Sequence, residues 1–183
     1  MKTKNNYKIS VLGCGYVGLP LILELKNYYK IVAFDINKKR INQLKKGVDI
    51  NNEFTKKFLN RNKVFYTCDD KYLADSDIFI VTVPTPIFKN NKPDLRLLIK
   101  ANKFISKYLD KNNIIIYEST FYPGVTKEIC YKFFLDKLGF KINLDYFCAY
   151  SPERINPGDT NHTIKNVTKL VAGSNMKTAN KVK

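Results

Sequence analysis

The chain has 183 residues, of which 44% are hydrophobic, and its 32 Lys and Arg against 16 Asp and Glu give a formal net charge of +16. This length and apolar content predict one globular domain with an ordinary core and argue against a disordered chain. A membrane-spanning helix needs a run of about eighteen apolar residues, and Glu24 and Lys26 interrupt the longest candidate.

The basic excess is compatible with nucleic acid, an anionic membrane or phosphorylated small molecules as partners. However, the Lys and Arg residues are scattered along the whole chain, often beside Asn, as in residues 89–92 and 111–113, and they form no long basic block. We therefore interpret the charge mainly as solvated surface, and we expect neither specific nucleic-acid binding nor membrane insertion.

The four cysteines are widely spread and form no Cys-x-x-Cys pair: Cys14, Cys68, Cys130 and Cys148. With His162 as the single histidine, the spacing of a zinc site is absent, and a chain with a core of this size does not need disulfides. We expect reduced, mostly buried thiols, a cytoplasmic protein and no bound metal.

Apolar runs of strand length alternate with stretches of helical periodicity. The predicted strands are residues 7–12, 30–35, 64–67, 77–83, 114–117, 146–150 and 169–172, and the predicted helices are 17–28, 38–46, 95–109 and 125–138. Residues 174–177 are typical of a helix cap. Because the strands are continuously apolar, the pattern favours a parallel sheet covered by helices on both faces. The predicted fold is a doubly wound α/β domain over residues 1–183.

The first predicted strand ends in Gly13-Cys14-Gly15-Tyr16-Val17-Gly18, which opens the first predicted helix. The lysines and apolar run before it also fit the start of a secretory signal peptide, but the apolar segment that precedes Cys14 is too short for one. Asp35 follows Gly15 by twenty positions, at the end of the second predicted strand. Strand, glycine motif, helix and acidic residue together make the fingerprint of a Rossmann-like dinucleotide site, with the pyrophosphate on the helix N-terminus.

Asp35 also indicates which dinucleotide binds. A carboxylate at this position accepts hydrogen bonds from the ribose hydroxyls of NAD and repels the extra phosphate of NADP. Lys38, Lys39 and Arg40 follow closely and weaken that repulsion, so NAD is the expected cofactor and NADP the alternative. The predicted cofactor-binding residues of this part of the chain are Gly13, Gly15, Tyr16, Val17, Gly18, Asp35 and Arg40.

Four segments at predicted strand ends carry a family resemblance: residues 13–20 (GCGYVGLP), 83–86 (VPTP), 117–120 (YEST) and 151–158 (SPERINPG). Together they resemble the NAD-binding half of the UDP-glucose/GDP-mannose dehydrogenase family, nearest to the branch that acts on UDP-N-acetylhexosamines for bacterial surface polysaccharides. The resemblance implies a two-step oxidation of the sugar's C6 primary alcohol to a carboxylate, with two NAD molecules and a thioester on a cysteine.

The resemblance also implies roles for individual residues. Thr85 and Thr120 would contact the cofactor, and Thr120 would position the reactive water. Glu153 would act as acid and base in thioester hydrolysis, since a carboxylate within reach of one water can relay a proton. The alternative for Glu153 is a loop carboxylate paired with Arg154 or Lys165. The implied substrate-binding residues are Glu153, Arg154 and Asn156.

The sequence departs from the family pattern at two points, which bear on the substrate and on whether the chain is catalytically complete. Pro157 stands where the UDP-glucose branch has a second acidic residue, which argues against UDP-glucose as substrate. The family's nucleophilic cysteine, catalytic lysine and much of its sugar-nucleotide site belong to a later half, so the resemblance implies a catalytically incomplete chain whose full-length form is a homodimer or larger oligomer. The open alternatives are another β-hydroxyacid-type dehydrogenase, a non-catalytic NAD-sensing domain and a basic nucleic-acid-binding module.

Overall fold

The computed structural model describes residues 7–51, 54–59, 64–154 and 167–183. The strands are β1 (Lys8–Leu12), β2 (Lys30–Phe34), β3 (Val64–Thr67), β4 (Ile78–Val81), β5 (Ile114–Tyr117), β6 (Phe147–Tyr150) and β7 (Ala172–Gly173). The α-helices are α1 (Gly18–Leu25), α2 (Lys38–Lys45), α3 (Arg96–Ile105), α4 (Lys132–Leu138) and α5 (Met176–Val182). A 3-10 turn covers Asp70–Leu73, and a π-helical segment, Thr126–Tyr131, leads into α4.

The strands form one sheet in the order β3-β2-β1-β4-β5-β6-β7. All neighbours are parallel except β6 and β7. The chain moves outward from β1 to β3 on one side and then returns to place β4 on the other side of β1. This change of direction opens a crevice outside the carboxyl ends of β1 and β4, where doubly wound sheets bind ligands. The predicted fold class is confirmed.

The sheet is buried on both faces, which explains its continuously apolar strands. In β5, Ile114 and Ile116 belong to one apolar cluster, while Ile115 and Tyr117 belong to the cluster on the opposite face. This alternation follows from the two-residue period of a strand. Each fully buried side chain of this size contributes about 1.5–3 kcal/mol relative to exposure, so both layers hold the strand ends in register.

The predicted element bounds agree with the structure except at a few ends. The predicted strand at 169–172 is wrong in position: pairing involves Ala172 and Gly173, antiparallel to β6, and Leu170 is exposed, so the apolar run that suggested the strand does not enter the core. The predicted helix cap is confirmed, because the Asn175 side chain accepts a hydrogen bond from the backbone N–H of Thr178 at the start of α5.

All four cysteines are free thiols, and all but the partly exposed Cys68 are buried. Over the described ranges, no helix combines the length and apolar character needed to cross a bilayer.

Candidate active site

The glycine motif forms a tight loop between β1 and α1. Gly13 has a φ of +109°, a conformation that side chains with a Cβ rarely adopt. At Gly18, a Cβ would lie 2.0 Å from the carbonyl oxygen of Gly13, so only glycine lets the helix approach the strand this closely. At Gly15, a Cβ would meet no heavy atom of the described residues within 4 Å, because this glycine faces open space. The three glycines therefore serve different physical purposes.

The start of α1 is suited to bind an anion. The Leu19 N–H already donates to the carbonyl oxygen of Gly15 at 2.9 Å, and Pro20 has no N–H, so the donors for an anion are the N–H groups of the loop just before the helix. The N-cap residue, Val17, contributes no side-chain cap among the described residues. Gly15 and Tyr16 are exposed immediately before it. The helix dipole adds a partial positive charge at this end. A pyrophosphate fits this cradle, because its oxygens can accept from these N–H groups where Gly15 leaves room.

Thr82 directly follows β4 and is hydrogen-bonded to the start of the glycine loop. Its backbone N–H and its hydroxyl both donate to the carbonyl oxygen of Leu12, at 3.0 and 3.1 Å, and the hydroxyl also lies 2.9 Å from the carbonyl oxygen of Gly13. The sequence analysis missed this residue. The sequence could have indicated Thr82 only through its position at the end of β4. That β4 lies next to β1 in the sheet cannot be read from the order of the strands along the chain.

Asp35 lies at the end of β2, next to the glycine loop. Its Oδ2 accepts from the backbone N–H of Cys14 and its Oδ1 from the backbone N–H of Asn37, both at 2.8 Å. A carboxylate has about four acceptor positions, so both oxygens keep capacity for the hydroxyls of a ribose. The Asn37 side chain accepts from the backbone N–H of Arg40 and caps α2.

Arg40 is buried beneath the loop and is not a free cation at the cavity mouth. Its Nε donates to the carbonyl oxygen of Cys14 at 2.8 Å, and its Nη1 pairs with Asp49 Oδ1 at 2.8 Å. Nη2 is buried and has no partner within the described part of the chain. Asp49 offsets the charge of the Arg40 guanidinium, and the expectation that Arg40 weakens repulsion of a second phosphate stays a prediction. Asp49 was also missed by the sequence analysis.

The ends of β4 and β5 are joined by short hydrogen bonds on the other side of the crevice. The Thr85 hydroxyl donates to the carbonyl oxygen of Thr120 at 2.6 Å, and the Ser119 hydroxyl donates to the carbonyl oxygen of Val83 at 2.6 Å. Thr120 is exposed, whereas Ser119 is buried. The two threonines singled out by the resemblance are thus in direct contact.

Two carboxylates and one lysine lie at the ends of β5 and β6. Lys169 Nζ donates to Glu118 Oε2 and lies 3.9 Å from Glu153 Oε2. Burial raises the pKa of the Glu118 carboxyl, the Lys169 ammonium opposes this rise, and the nearby Glu153 charge adds to it. Glu118 lies in the 117–120 segment that carries the family resemblance, but sequence analysis assigned it no role, and Lys169 was not singled out.

Most of these residues, but not Asp49 or Lys169, line one cavity of about 1040 Å³. The predicted residues on its wall are Gly13, Gly15, Tyr16, Val17, Asp35, Arg40, Thr85, Thr120 and Glu153. Gly18 lies behind the loop, and Arg154 is exposed, with its backbone N–H donating to Glu153 Oε1. Asn156, Pro157 and Lys165 lie outside the described residues. The cavity is continuous from the glycine loop to Glu153, so it can hold a dinucleotide at one end and present a second reactant near the other.

Comparison with known proteins gives a consistent result. A sequence profile of the UDP-glucose/GDP-mannose dehydrogenase family, NAD binding domain, matches residues 7–183. Protein CapL of Staphylococcus aureus is 44% identical over 171 residues, which cover 93% of this chain and 40% of that protein. The UDP-N-acetyl-D-glucosamine 6-dehydrogenase of Salmonella typhi is 44% identical over 168 residues, which cover 91% and 40%.

The solved structure of UDP-D-ManNAc dehydrogenase from Pyrococcus horikoshii superposes with a TM-score of 0.85 at 30% identity, over 96% of this chain and 43% of that one. The chain therefore spans about two fifths of the length of the proteins that it resembles.

Proposed function

The chain belongs to the UDP-glucose/GDP-mannose dehydrogenase family, and we propose that it is the NAD-binding part of an enzyme that oxidises the C6 primary alcohol of a UDP-N-acetylhexosamine to a uronic acid. The observation that carries this proposal is the single cavity that extends from the glycine loop to Glu153. NAD is the cofactor of this domain family. The proposed product is a precursor of a surface polysaccharide, and the proposed location is the cytoplasm, where free thiols such as those of this chain persist.

The overall reaction converts R–CH2OH, two NAD⁺ and one water into R–COO⁻, two NADH and three protons. Bound NAD supplies the hydride acceptor for both oxidations. Gly15 and the N-terminus of α1 would bind its pyrophosphate, and Asp35 its adenosine ribose. The Thr85–Thr120 pair would border the reactive end, where Thr120 would orient a water molecule. Glu153 would take a proton from that water as it attacks a thioester, since its carboxylate lies on the cavity wall.

The thioester cysteine is proposed to come from outside this chain. Cys14, Cys130 and Cys148 are completely buried, and burial raises the pKa of each thiol. Cys68 is only partly buried, but burial also raises its pKa, and it follows β3, at the other edge of the sheet from Glu153. A thiol with a raised pKa forms little of the reactive thiolate. A nucleophilic cysteine outside these 183 residues is consistent with the chain covering about two fifths of the length of its relatives.

The proposed substrate class follows from the activities of the proteins that this chain resembles. The Salmonella typhi protein is a UDP-N-acetyl-D-glucosamine 6-dehydrogenase, and the Pyrococcus horikoshii structure is a UDP-D-ManNAc dehydrogenase. Both act on a UDP-linked N-acetylated hexosamine, so we propose that class of substrate. We further propose that the full-length protein forms a homodimer or a larger oligomer.

The experiment compares residues 1–183 with the full-length protein. Calorimetry with NAD tests the chain, and NADH absorbance with UDP-N-acetylglucosamine or UDP-N-acetylgalactosamine tests both proteins. We expect the chain to bind NAD weakly and to form no NADH, and the full-length protein to form two NADH per sugar. Steady turnover by residues 1–183 alone would show that the catalytic groups are misplaced, and absent NAD binding would overturn the proposal.

A further inference from the structure

We propose that Lys169 is a positioning residue: by bridging Glu118 and Glu153 it holds the Glu153 carboxylate against the cavity wall. The existence of the bridge does not depend on the proposed function, but its catalytic consequence does, because that consequence assumes that Glu153 handles a proton during turnover. Lys169 itself would touch neither cofactor nor substrate. It acts through the two carboxylates.

The sheet brings the three side chains together. Tyr117 of β5 and Tyr150 of β6 lie opposite each other in the parallel ladder. Glu118 is the first residue after β5, and Glu153 follows β6 by three residues, so both carboxylates leave the sheet at the same edge. Lys169 precedes β7, which pairs with β6. The adjacent ends of β5, β6 and β7 therefore supply two carboxylates and one ammonium group.

The burial of these groups makes the bridge energetically important. The exposed fractions of the side chains are 8% for Glu118, 11% for Glu153 and 22% for Lys169. Opposite charges interact much more strongly in such a place than at the open surface. Two carboxylates this close repel each other, and Lys169 is the ammonium between them in the described part of the chain. Without it, repulsion between the two carboxylates favours their separation and raises the pKa of Glu118 further.

Lys169 lies behind the carboxylates as seen from the cavity. Glu118 and Glu153 are on the cavity wall, whereas Lys169 is not among the lining residues. Glu153 Oε1 also accepts from the backbone N–H of Arg154, which fixes one end of the carboxylate. The contact with Lys169 is at Oε2. Loss of the ammonium should therefore change where Oε2 points while leaving the dinucleotide cradle intact.

The first test measures the bridge in residues 1–183 through pH-dependent unfolding. Lys169→Met keeps the length of the side chain but removes its charge, and Lys177→Met, an exposed change on α5, is the matched control. Lys169→Met should leave the NAD dissociation constant within about twofold of the wild type. At neutral pH it should lower the denaturant midpoint below that of the control.

The sign of the pH effect follows from Glu118. Burial raises the pKa of this carboxyl, and the Glu153 charge adds to the rise, so removal of Lys169, which opposes it, must raise the pKa further. A folded pKa above the unfolded value gives stability that is present at low pH and is lost as pH rises through the folded pKa. The difference in denaturant midpoint between Lys169→Met and the wild type should therefore become smaller on acidification. Adding Glu118→Gln to Lys169→Met should also make this difference smaller. The bridge would be overturned if, at neutral pH, Lys169→Met lowered the midpoint no more than the control does, or if the loss did not depend on pH.

The second test measures the catalytic consequence in the full-length protein. Lys169→Met should slow thioester hydrolysis about ten- to a hundredfold, as small misplacements of a reacting group do, with little effect on the first hydride transfer. Lys169→Arg should recover most of the rate. In the double variant with Glu153→Gln, the losses should not multiply, because Lys169 acts through Glu153.

The outcomes of the two tests separate the proposals. The positioning role would be rejected if the rate losses of Lys169→Met and Glu153→Gln multiplied in the double variant, or if Lys169→Met left the hydrolysis rate unchanged. Either result could occur even if the enzyme is the dehydrogenase proposed. If the wild type neither binds NAD nor forms NADH, the proposed function fails and the catalytic part of this inference fails with it. The unfolding measurements would still decide whether the bridge exists.

Discussion

Arg40 and Asp49 form a buried ion pair, with Nη1 and Oδ1 separated by 2.8 Å and only 7% and 0% of their side chains exposed. Asp49 also accepts backbone N–H groups from Asn51 and Phe54, at 3.3 and 3.2 Å. Since Arg40 Nε donates to the carbonyl oxygen of Cys14, a chain of contacts joins the loop after α2 to the glycine loop. Asp49, which does not line the cavity, is thus connected through Arg40 to the phosphate cradle.

We predict that Asp49→Asn weakens both folding and NAD binding. Removing one partner of a buried ion pair leaves an uncompensated charge, and the expected loss of unfolding free energy is about 3–5 kcal/mol. Chemical unfolding and NAD calorimetry on the same samples measure both effects. Asp136→Asn, an exposed change on α4, is the control. Unchanged NAD affinity in a folded Asp49→Asn protein would show that the glycine loop keeps its shape without this support.

Asp35→Ala should reduce NAD affinity by about 1–3 kcal/mol, because a hydrogen bond to a charged group contributes about 1.5–3 kcal/mol. It should also narrow the preference for NAD over NADP, because the repulsive carboxylate is gone. Calorimetry with both dinucleotides measures the two effects. Asn37→Ala is the matched control: it removes the α2 cap, at a cost of about 0.5–2 kcal/mol in stability, but should keep the preference. Equal or tighter NADP binding by the wild type would contradict the assignment of Asp35.

Much of the fold and the cofactor end of the cavity could be predicted from sequence because their signals are local. Gly13, Gly15, Gly18 and Asp35 lie at fixed spacings, and the apolar strands are continuous. The residues that sequence analysis missed, Thr82, Asp49, Glu118 and Lys169, act through contacts with partners that lie far along the chain or, for Asp49, through burial. Lys169 is 51 residues from Glu118, and no periodic pattern links the two. Long-range pairing of this kind becomes visible only once the strand order is known.

The scattered basic residues should give only weak and non-specific binding to nucleic acid. Among the described residues most lysines are exposed, and along the chain they form no block of five or more basic residues; phosphate contacts of this kind weaken steeply as salt increases. Fluorescence anisotropy with a labelled duplex and a single strand, at low and physiological salt, measures this. We expect binding that is lost at physiological salt and is indifferent to sequence. Submicromolar, sequence-selective binding at that salt would instead support the basic binding module.

The glycines of the motif offer a matched pair of variants, because the same added methyl group meets different surroundings at each position. At Gly18, the new Cβ would lie 2.0 Å from the carbonyl oxygen of Gly13 and 2.5 Å from Thr82 Oγ1, so Gly18→Ala must displace α1 or the loop. At Gly15, the new Cβ meets no described atom within 4 Å. Gly15→Ala should therefore fold normally, with an unfolding free energy near that of the wild type.

The two variants should differ in how they lose the cofactor. Gly15→Ala should lose at least tenfold in NAD affinity at nearly unchanged stability, because its methyl group occupies the space that the pyrophosphate needs. Gly18→Ala should lose both affinity and stability, with an unfolding loss of about 1–3 kcal/mol, typical of overpacking. Thermal unfolding and NAD calorimetry on both variants separate the effects. If Gly15→Ala bound NAD as tightly as the wild type, the pyrophosphate would not lie over Gly15, and the assignment of the cradle would be wrong.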